Sequence, residues 1–263
     1  MSLVFAGITP HPPLLIPDVG KEAMEKVDKT KSALEMLEQE LYLSKPDAVI
    51  IISPHGSFFE DAFSVNGHTI LLSTFETFGD MSTKKEWRGN PEMAARLSHN
   101  AKMKHLPIRV VSQEHVDHGV SVPLFYLMNH LQDRPVLPIG FSGLSPKEHL
   151  EFGGIIKELI MDSEKRVAVI ASADLSHALT TDAPSGFHKS AKTFDANIQE
   201  LLQTKNTTGF VTLDAQLVKD ADECGYRSIL ILLGILKNMD YSFKHLCYEA
   251  PHGVGYLTGQ FVF

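Results

Sequence analysis

Histidines follow several short apolar runs of this 263-residue sequence, at places where an imidazole could bind a metal ion or transfer a proton. The sequence has thirteen histidines, and no two of them are adjacent. Those that follow a β-rich run are His11 after Leu3–Gly7, His55 after Ala48–Ile52, His115 and His118 after Ile108–Val111, and His177 after Arg166–Ala171. Because ligand sites of open α/β sheets form beyond the carboxyl ends of strands, this repeated position predicts one shared site.

One acidic residue fits the same pattern. Glu249 ends the β-like run Ser242–Tyr248, which an edge strand could bring to the same rim. Two imidazoles and one carboxylate on one face of a metal suit non-haem Fe(II) and leave coordination positions open. The same three ligands also hold catalytic zinc, so the residue types alone leave both metals open. Each residue also has an ordinary alternative role, as a surface imidazole, a helix cap or a solvated acid.

The elements that must position these residues alternate along the chain between short β-rich runs and longer helical ones. This alternation predicts an α/β fold, with a single domain over residues 1–263. We expect a mostly parallel central sheet flanked by helices, with the metal site at the carboxyl edge of its strands. Further strands are predicted at Val136–Phe141 and Gly255–Phe263. The predicted helices are Asp18–Leu43, Asn90–His105, Ser121–Gln132, Ser145–Met161, Pro184–Leu202 and Glu223–Lys237.

Composition excludes several classes of partner. The formal net charge is −8, and Lys and Arg form no basic stripe, so we expect no nucleic acid and no anionic membrane as partner. The longest apolar run, Ser228–Leu236, is far shorter than the roughly 20 residues of a membrane span. The N-terminus resembles no secretion signal. The two cysteines, Cys224 and Cys247, form no CxxC motif, which favours a cytoplasmic location.

Five segments, in this order and spacing, resemble the motifs of the superfamily formed by the catalytic subunits of class III extradiol ring-cleavage dioxygenases. The resemblance runs from residue 5 to the C-terminus. The segments are Thr9–Pro17, Ser53–Gly56, Asp117–Leu124, Ser172–His177 and Tyr248–Pro251.

The resemblance implies an iron enzyme of aromatic compound catabolism that adds both atoms of O₂ to a catechol-type diol. By motif, Fe(II) is held by His11, His55 and Glu249. His177 falls on the acid/base histidine, and His118 falls on the histidine that lines the substrate side. The sequence does not identify the aromatic substrate. It also leaves open a homo-oligomer, or a small partner subunit that completes the site.

Two alternatives remain open. Memo-like proteins of the same superfamily share the fold without an agreed enzymatic role, and the segments Ser172–His177 and Glu223–Arg227 resemble theirs too. Glu249 favours the dioxygenases, because this position is not acidic in the Memo-like pattern. A zinc-dependent hydrolase is the second alternative. Cys247, two residues before Glu249 on the same strand face, is a soft candidate ligand, although a buried free cysteine is more often part of a core.

Overall fold

Each segment that resembles a dioxygenase motif begins at the end of a strand or directly after it. The structure is a computed structural model that describes residues 2–263. Its strands are β1 Leu3–Thr9, β2 Ala48–Ser53, β3 Phe63–Asn66, β4 Ile70–Phe75, β5 Asp80–Arg88, β6 Ile108–Val111, β7 His115–Val116, β8 Val136–Gly140, β9 Val167–Ser172, β10 Ser242–Glu249 and β11 Tyr256–Val262.

The α-helices lie mostly between the strands. Short 3₁₀ turns precede α1 and α2 and follow β4. The helices are α1 Pro17–Gly20, α2 Asp28–Leu43, α3 Pro91–Met103, α4 His118–Leu127, α5 Pro146–Met161, α6 Ala191–Gln203, α7 Thr207–Val211, α8 Ala215–Ala221 and α9 Tyr226–Leu236. Within residues 2–263, every helix is too short or too polar to span a lipid bilayer.

Eight strands form one sheet in the order β10-β11-β1-β9-β2-β8-β3-β6. The central strands β1, β9, β2 and β8 are parallel, as the buried runs Ala48–Ile52 and Arg166–Ala171 predict. Strand β10 is antiparallel to β11, which is antiparallel to β1, so β10 runs in the direction of β1. The mostly parallel sheet is therefore confirmed, and Glu249 ends its strand at the same edge as the end of β1.

Hydrophobic side chains fill both faces of this sheet. On one face, α3, α5 and α9 cover the apolar side chains of the central strands. On the other face, α2 and α4 cover side chains such as Val49, Ile51 and Ile170. Burial on both faces explains why the central strands are continuous apolar runs without a polar alternation.

Strand β6, which the sequence predicts before His118, differs from the prediction in its direction. Strand β3 pairs antiparallel with β8, and β6 pairs parallel with β3, so β6 runs against the central strands. Its carboxyl end therefore lies at the opposite edge from the ends of β1 and β2. The chain returns through β7, which pairs with β4 in a separate three-stranded sheet, and then enters α4. The predicted loop with His115 and His118 is instead a short strand and the first turn of a helix.

Helix boundaries also differ from the predictions. The predicted helix Asp18–Leu43 is interrupted after α1 by Lys21, whose φ is 47°, and by a 3₁₀ segment. Strands β3, β4 and β5 lie in a stretch for which no element was predicted. The predicted helix Pro184–Leu202 begins only at Ala191.

Candidate metal centre

His11 lies immediately beyond β1 and is fixed by the end of the neighbouring strand β9. Its backbone N–H donates to Asp174 Oδ1 at 2.8 Å, and its ring Nδ1 lies 2.8 Å from Ser172 Oγ. The residue is 1% exposed. The two hydrogen bonds hold the imidazole from behind, so its second ring nitrogen, Nε2, points toward the ends of the adjacent strands.

Contacts between the segments on either side orient His55 and His118. Ser53 Oγ donates to Asp117 Oδ1 at 2.5 Å, and this carboxylate also caps α4 by accepting from Val120 N at 3.2 Å. A Cβ atom on Gly119 would lie 2.4 Å from Ser53 Oγ, closer than side chains approach. A side chain at position 119 would therefore displace the Ser53 hydroxyl from Asp117 or move the start of α4 away from the end of β2. This contact between α4 and β2 places His55, two residues after Ser53, beside His118, which directly follows Asp117.

The three imidazoles meet in one cluster, named here the histidine cluster (His11, His55 and His118). One ring nitrogen from each lies within 4.8 Å of the others. The Nε2 atoms of His11 and His55 are 3.0 Å apart, and the rings of His55 and His118 stack at 4.2 Å between centroids. Sequence reasoning brought His11 and His55 together as ligands and placed His118 beside them as a substrate-side residue.

Desolvation favours the uncharged form of these imidazoles, and it acts most strongly on His11, which is buried, whereas His55 is exposed. Desolvation lowers the pKa of His11 well below its usual value, and it lowers the pKa values of His55 and His118 to about 4. Neutral imidazole is the form that binds metals. Two nitrogens that each lie about 2.1 Å from one ion, at a right angle, are about 3.0 Å apart. The separation of the two Nε2 atoms and their neutral state therefore fit a metal ion.

His177 lies at the border of the cluster, in the loop after β9. Its backbone N–H donates to the carbonyl of Ala221 at 3.0 Å, and its Nδ1 contacts the carbonyl of Asp222. A carbonyl only accepts, so in the neutral ring Nδ1 carries the proton and Nε2 is free to act as a base. Burial lowers the pKa of His177, which favours this neutral form.

Cys224 also lies beside the histidine cluster, and the sequence analysis did not predict this position. Its Sγ lies 3.4 Å from His11 Nε2 and 4.0 Å from His177 Nε2. Burial raises the pKa of the thiol well above its usual value. The available signal was its place in the segment Glu223–Arg227, just before the start of α9. Cys247, the cysteine considered from the sequence, is a buried residue of β10.

Glu249 lies outside the histidine cluster. Its Oε1 accepts from Thr30 N at 2.9 Å and from Thr30 Oγ1 at 2.6 Å, in the first turn of α2. The helix N-terminus offers a free backbone N–H there and favours negative charge. The assignment of Glu249 as a metal ligand stays a prediction, which requires the carboxylate to leave Thr30.

Asp174 and Phe78 complete the surroundings of the cluster. Asp174 is buried, and burial raises its pKa to about 7. Phe78 contacts His118 edge-on, with 5.3 Å between ring centroids, and is 39% exposed. This ring therefore gives the open side of the cluster an apolar, aromatic surface. Phe75 and Trp87, two other aromatics of this region, are buried in the core.

Comparisons with known proteins extend over most of the chain. A protein of Clostridium acetobutylicum is 28% identical over 97% of this chain and 57% of its own length. A MEMO1 family protein of Methanosarcina mazei is 27% identical over 80% of this chain and 70% of its own. The chain spans little more than half the length of the first of these relatives. A solved structure of an uncharacterized Escherichia coli K12 protein shares the fold, with a TM-score of 0.70, 17% identity and coverage of 98% of this chain and 99% of that one.

A dioxygenase is also among the relatives. The 2,3-dihydroxyphenylpropionate/2,3-dihydroxicinnamic acid 1,2-dioxygenase of Escherichia coli is 24% identical over 59% of this chain and 51% of its own length. The family model described as the catalytic LigB subunit of aromatic ring-opening dioxygenase matches residues 6–259. This match includes every member of the histidine cluster, His177 and Glu249. The chain therefore belongs to the family of the catalytic LigB subunit of aromatic ring-opening dioxygenases.

Proposed function

We propose that this protein is a non-haem Fe(II)-dependent extradiol dioxygenase that cleaves the ring of a catechol-type aromatic diol with O₂. The observation that carries the proposal is the pair of neutral imidazoles, His11 and His55, whose Nε2 atoms face each other at 3.0 Å. Membership in the LigB family, and a dioxygenase among the relatives, support the same chemistry.

His11 and His55 supply the first two ligands in this proposal, and Glu249 supplies the third after it leaves Thr30. When bound, Fe(II) acts as a Lewis acid and as a template that brings the diol and O₂ together. His118 then lies on the substrate side, where its ring could hydrogen-bond the diol. Phe78 offers its exposed ring as an apolar wall for the aromatic substrate.

His177 performs the proton transfer in this proposal. Its Nδ1 proton is engaged by the carbonyl of Asp222, so Nε2 accepts a proton from a diol hydroxyl. The backbone hydrogen bond to Ala221 keeps the ring at the border of the cluster. Its lowered pKa leaves the base form populated at neutral pH.

A second candidate function is favoured by one contact. Cys224 Sγ lies 3.4 Å from His11 Nε2, while Glu249 is bound to Thr30. A thiolate is a soft ligand that suits zinc or copper better than a diol-cleaving Fe(II) centre. This arrangement fits a metal-binding protein of Memo-like type without ring cleavage.

Anaerobic loading with Fe(II), followed by exposure of a panel of catechols to O₂, tests the proposal. We expect the absorbance of a ring-fission product with at least one diol, and loss of this signal in His11→Ala. Metal analysis of the protein purified without oxygen gives the native metal. Zinc or copper that depends on Cys224, with no diol cleaved by the iron-loaded protein, would establish the Memo-like alternative.

A further inference from the structure

The buried carboxylate of Asp195 lies between the segments of His177 and Glu249, and it has no role in the chemistry proposed above. Asp195 belongs to α6 and is 1% exposed. None of the ion pairs among residues 2–263 includes it. An unpaired buried carboxylate is costly unless hydrogen bonds compensate it. The groups that donate hydrogen bonds to Asp195 therefore indicate its role in the structure.

Two donors come from two different segments of the site. Ser176 N donates to Asp195 Oδ1 at 2.9 Å, and Tyr248 Oη donates to Oδ2 at 2.6 Å. Ser176 directly precedes His177, and Tyr248 directly precedes Glu249. One side chain thus joins the loop that carries the proposed base to the strand that carries the proposed carboxylate ligand.

A third segment is shaped around the same carboxylate. A Cβ atom on Gly255 would lie 2.1 Å from Asp195 Oδ2, so only glycine leaves room for the carboxylate. Gly255 also bonds the loop directly, because its N–H donates to Ser176 O at 2.9 Å and its carbonyl accepts from Leu175 N at 2.8 Å. The backbone on both sides of Asp195 is therefore packed against it.

We infer that Asp195 is a positioning residue that fixes His177 and Glu249 relative to each other through Ser176 and Tyr248. The carboxylate is suited to this task because both of its oxygens accept. An alanine removes both accepting oxygens, whereas an asparagine keeps one of them and can donate its amide to Tyr248 Oη, because a tyrosine hydroxyl also accepts. Burial raises the pKa of Asp195 to about 6, and the two donors oppose that shift, so the carboxylate form prevails at neutral pH.

The first test needs no diol. Hydrogen exchange by mass spectrometry on the anaerobic Fe(II)-loaded protein would compare wild type with Asp195→Ala. We expect peptides covering 172–180 and 244–252 to exchange about tenfold faster, the equivalent of one lost hydrogen bond. The control is Tyr126→Phe, which removes a tyrosine hydroxyl bond to Leu15 O and leaves Asp195 untouched. Unchanged exchange in both peptides would overturn the inference.

Tyr248→Phe covers the case in which Asp195→Ala does not fold. It removes one of the two bonds and keeps the carboxylate. We expect faster exchange in the 244–252 peptide, with the 172–180 peptide changed much less because Ser176 N is still bound. Equal and unchanged exchange in both peptides would contradict the role of Asp195 as the link.

The second test uses turnover and rests on the proposed function. Asp195→Ala should lower kcat by about 10- to 100-fold with KM nearly unchanged, the size of a small misplacement of a reacting group. In a His177→Gln background the same substitution should lower kcat much less, because the group that it positions is already absent. An equal loss in both backgrounds would show a general structural effect and overturn the inference. A protein that cleaves no diol would refute the proposed function alone, since the exchange result decides the role of Asp195.

Discussion

His11 and His55 place their Nε2 atoms 3.0 Å apart, although 44 positions separate them in the sequence. Two ring nitrogens at this distance, one in the buried His11 and one in the exposed His55, are preorganised to act together as metal ligands in the proposed function. The pair is held by different supports, since Ser172 and Asp174 fix one ring and the contact between Ser53 and Asp117 orients the segments around the other.

Removal of either ring should abolish tight metal binding. We expect His11→Ala and His55→Ala to weaken affinity for Fe(II) by more than about 100-fold, because loss of a ligand costs more than loss of its supporting hydrogen bonds. Anaerobic titration with metal analysis measures this. His99→Ala, at an exposed position of α3, is the control and should bind like wild type. Wild-type affinity in His11→Ala would exclude this residue as a ligand.

Replacement of His177 should impair proton transfer without impairing metal binding. We expect His177→Gln to keep nearly all of the bound iron while it lowers turnover by roughly 10²- to 10⁴-fold, the usual contribution of a general acid or base. Parallel measurement of metal content and ring cleavage tests this. An emptied metal site, or unchanged cleavage of an established substrate, would show that the assignment is wrong.

Thr30 should compete with the metal for Glu249. Thr30→Val removes the hydroxyl that donates to the carboxylate, while Thr30→Ser keeps it. Since a hydrogen bond to a charged group contributes roughly 1.5 to 3 kcal/mol, we expect about 10- to 100-fold tighter metal binding in Thr30→Val and little change in Thr30→Ser. Glu249→Gln should weaken binding. If Thr30→Val binds metal like wild type and His118→Gln binds it poorly, His118 is the third ligand instead.

A side chain at position 119 should disturb the contact between α4 and β2. Gly119→Ala places a Cβ atom 2.4 Å from Ser53 Oγ, so this hydroxyl must leave Asp117 or the start of α4 must move away from β2. We expect a loss of about 1 to 3 kcal/mol in the free energy of unfolding, measured with urea, together with weaker metal binding. Gly154→Ala is a matched control within α5, where a Cβ atom meets nothing within 4 Å. It should be neutral or stabilise by about 0.5 to 1 kcal/mol.

His149 should make stability depend on pH. It is fully buried, with Nδ1 2.8 Å from Ser145 O and Nε2 accepting from Ser142 N, and burial lowers its pKa to about 4. The unfolded chain binds this proton at about pH 6.5 and the folded chain only near 4, so stability falls as pH drops between these values. The loss amounts to about 3 kcal/mol.

Replacement of His149 tests this linkage. Urea unfolding of metal-free protein from pH 7 to pH 4 should show a shallower decline in His149→Gln than in wild type. The other buried histidines are present in both proteins, so the difference belongs to His149. Parallel pH curves for the two proteins would contradict the prediction.

The parallel core of the sheet could be predicted from its continuous apolar runs, but the reversal of β3 and β6 could not. A run such as Ile108–Val111 has the same composition whichever direction its strand takes, because direction depends on partners that are distant in the sequence. His118 was thus predicted beside the site, although the predicted strand before it, β6, ends at the opposite edge of the sheet. The contact between Ser53, Asp117 and Gly119 brings it there, and no periodicity reveals that contact.

In the site, too, the sequence pattern predicts which residues follow the strands, whereas their contacts depend on tertiary packing. His11 and His55 were predictable because each follows a central strand directly. The position of Glu249 was predictable to the edge of the sheet, but its hydrogen bonds to Thr30 depend on where α2 begins, and that start lies ten residues after the predicted one. Cys224 is marked only by its place in the segment Glu223–Arg227, and its contact with His11 depends on how the loop before α9 packs. Asp195 carries no local signal, because it reaches Ser176 and Tyr248 from α6, which is distant from Tyr248 in the sequence.

The position of β1 between β9 and β11 determines when the centre can assemble during synthesis. Gly7 pairs with Ile170 on one side and with Gln260 on the other, so both neighbours of the first strand are translated long after it. His11 acquires its supports from Ser172 and Asp174 only after more than 160 further residues have been made. Such distant pairing delays folding, since a long loop must close before its contacts form. A nascent chain halted before β9 therefore lacks the two hydrogen bonds that orient His11, so the pairing of His11 with His55 has to wait until β9 and Asp174 have been translated.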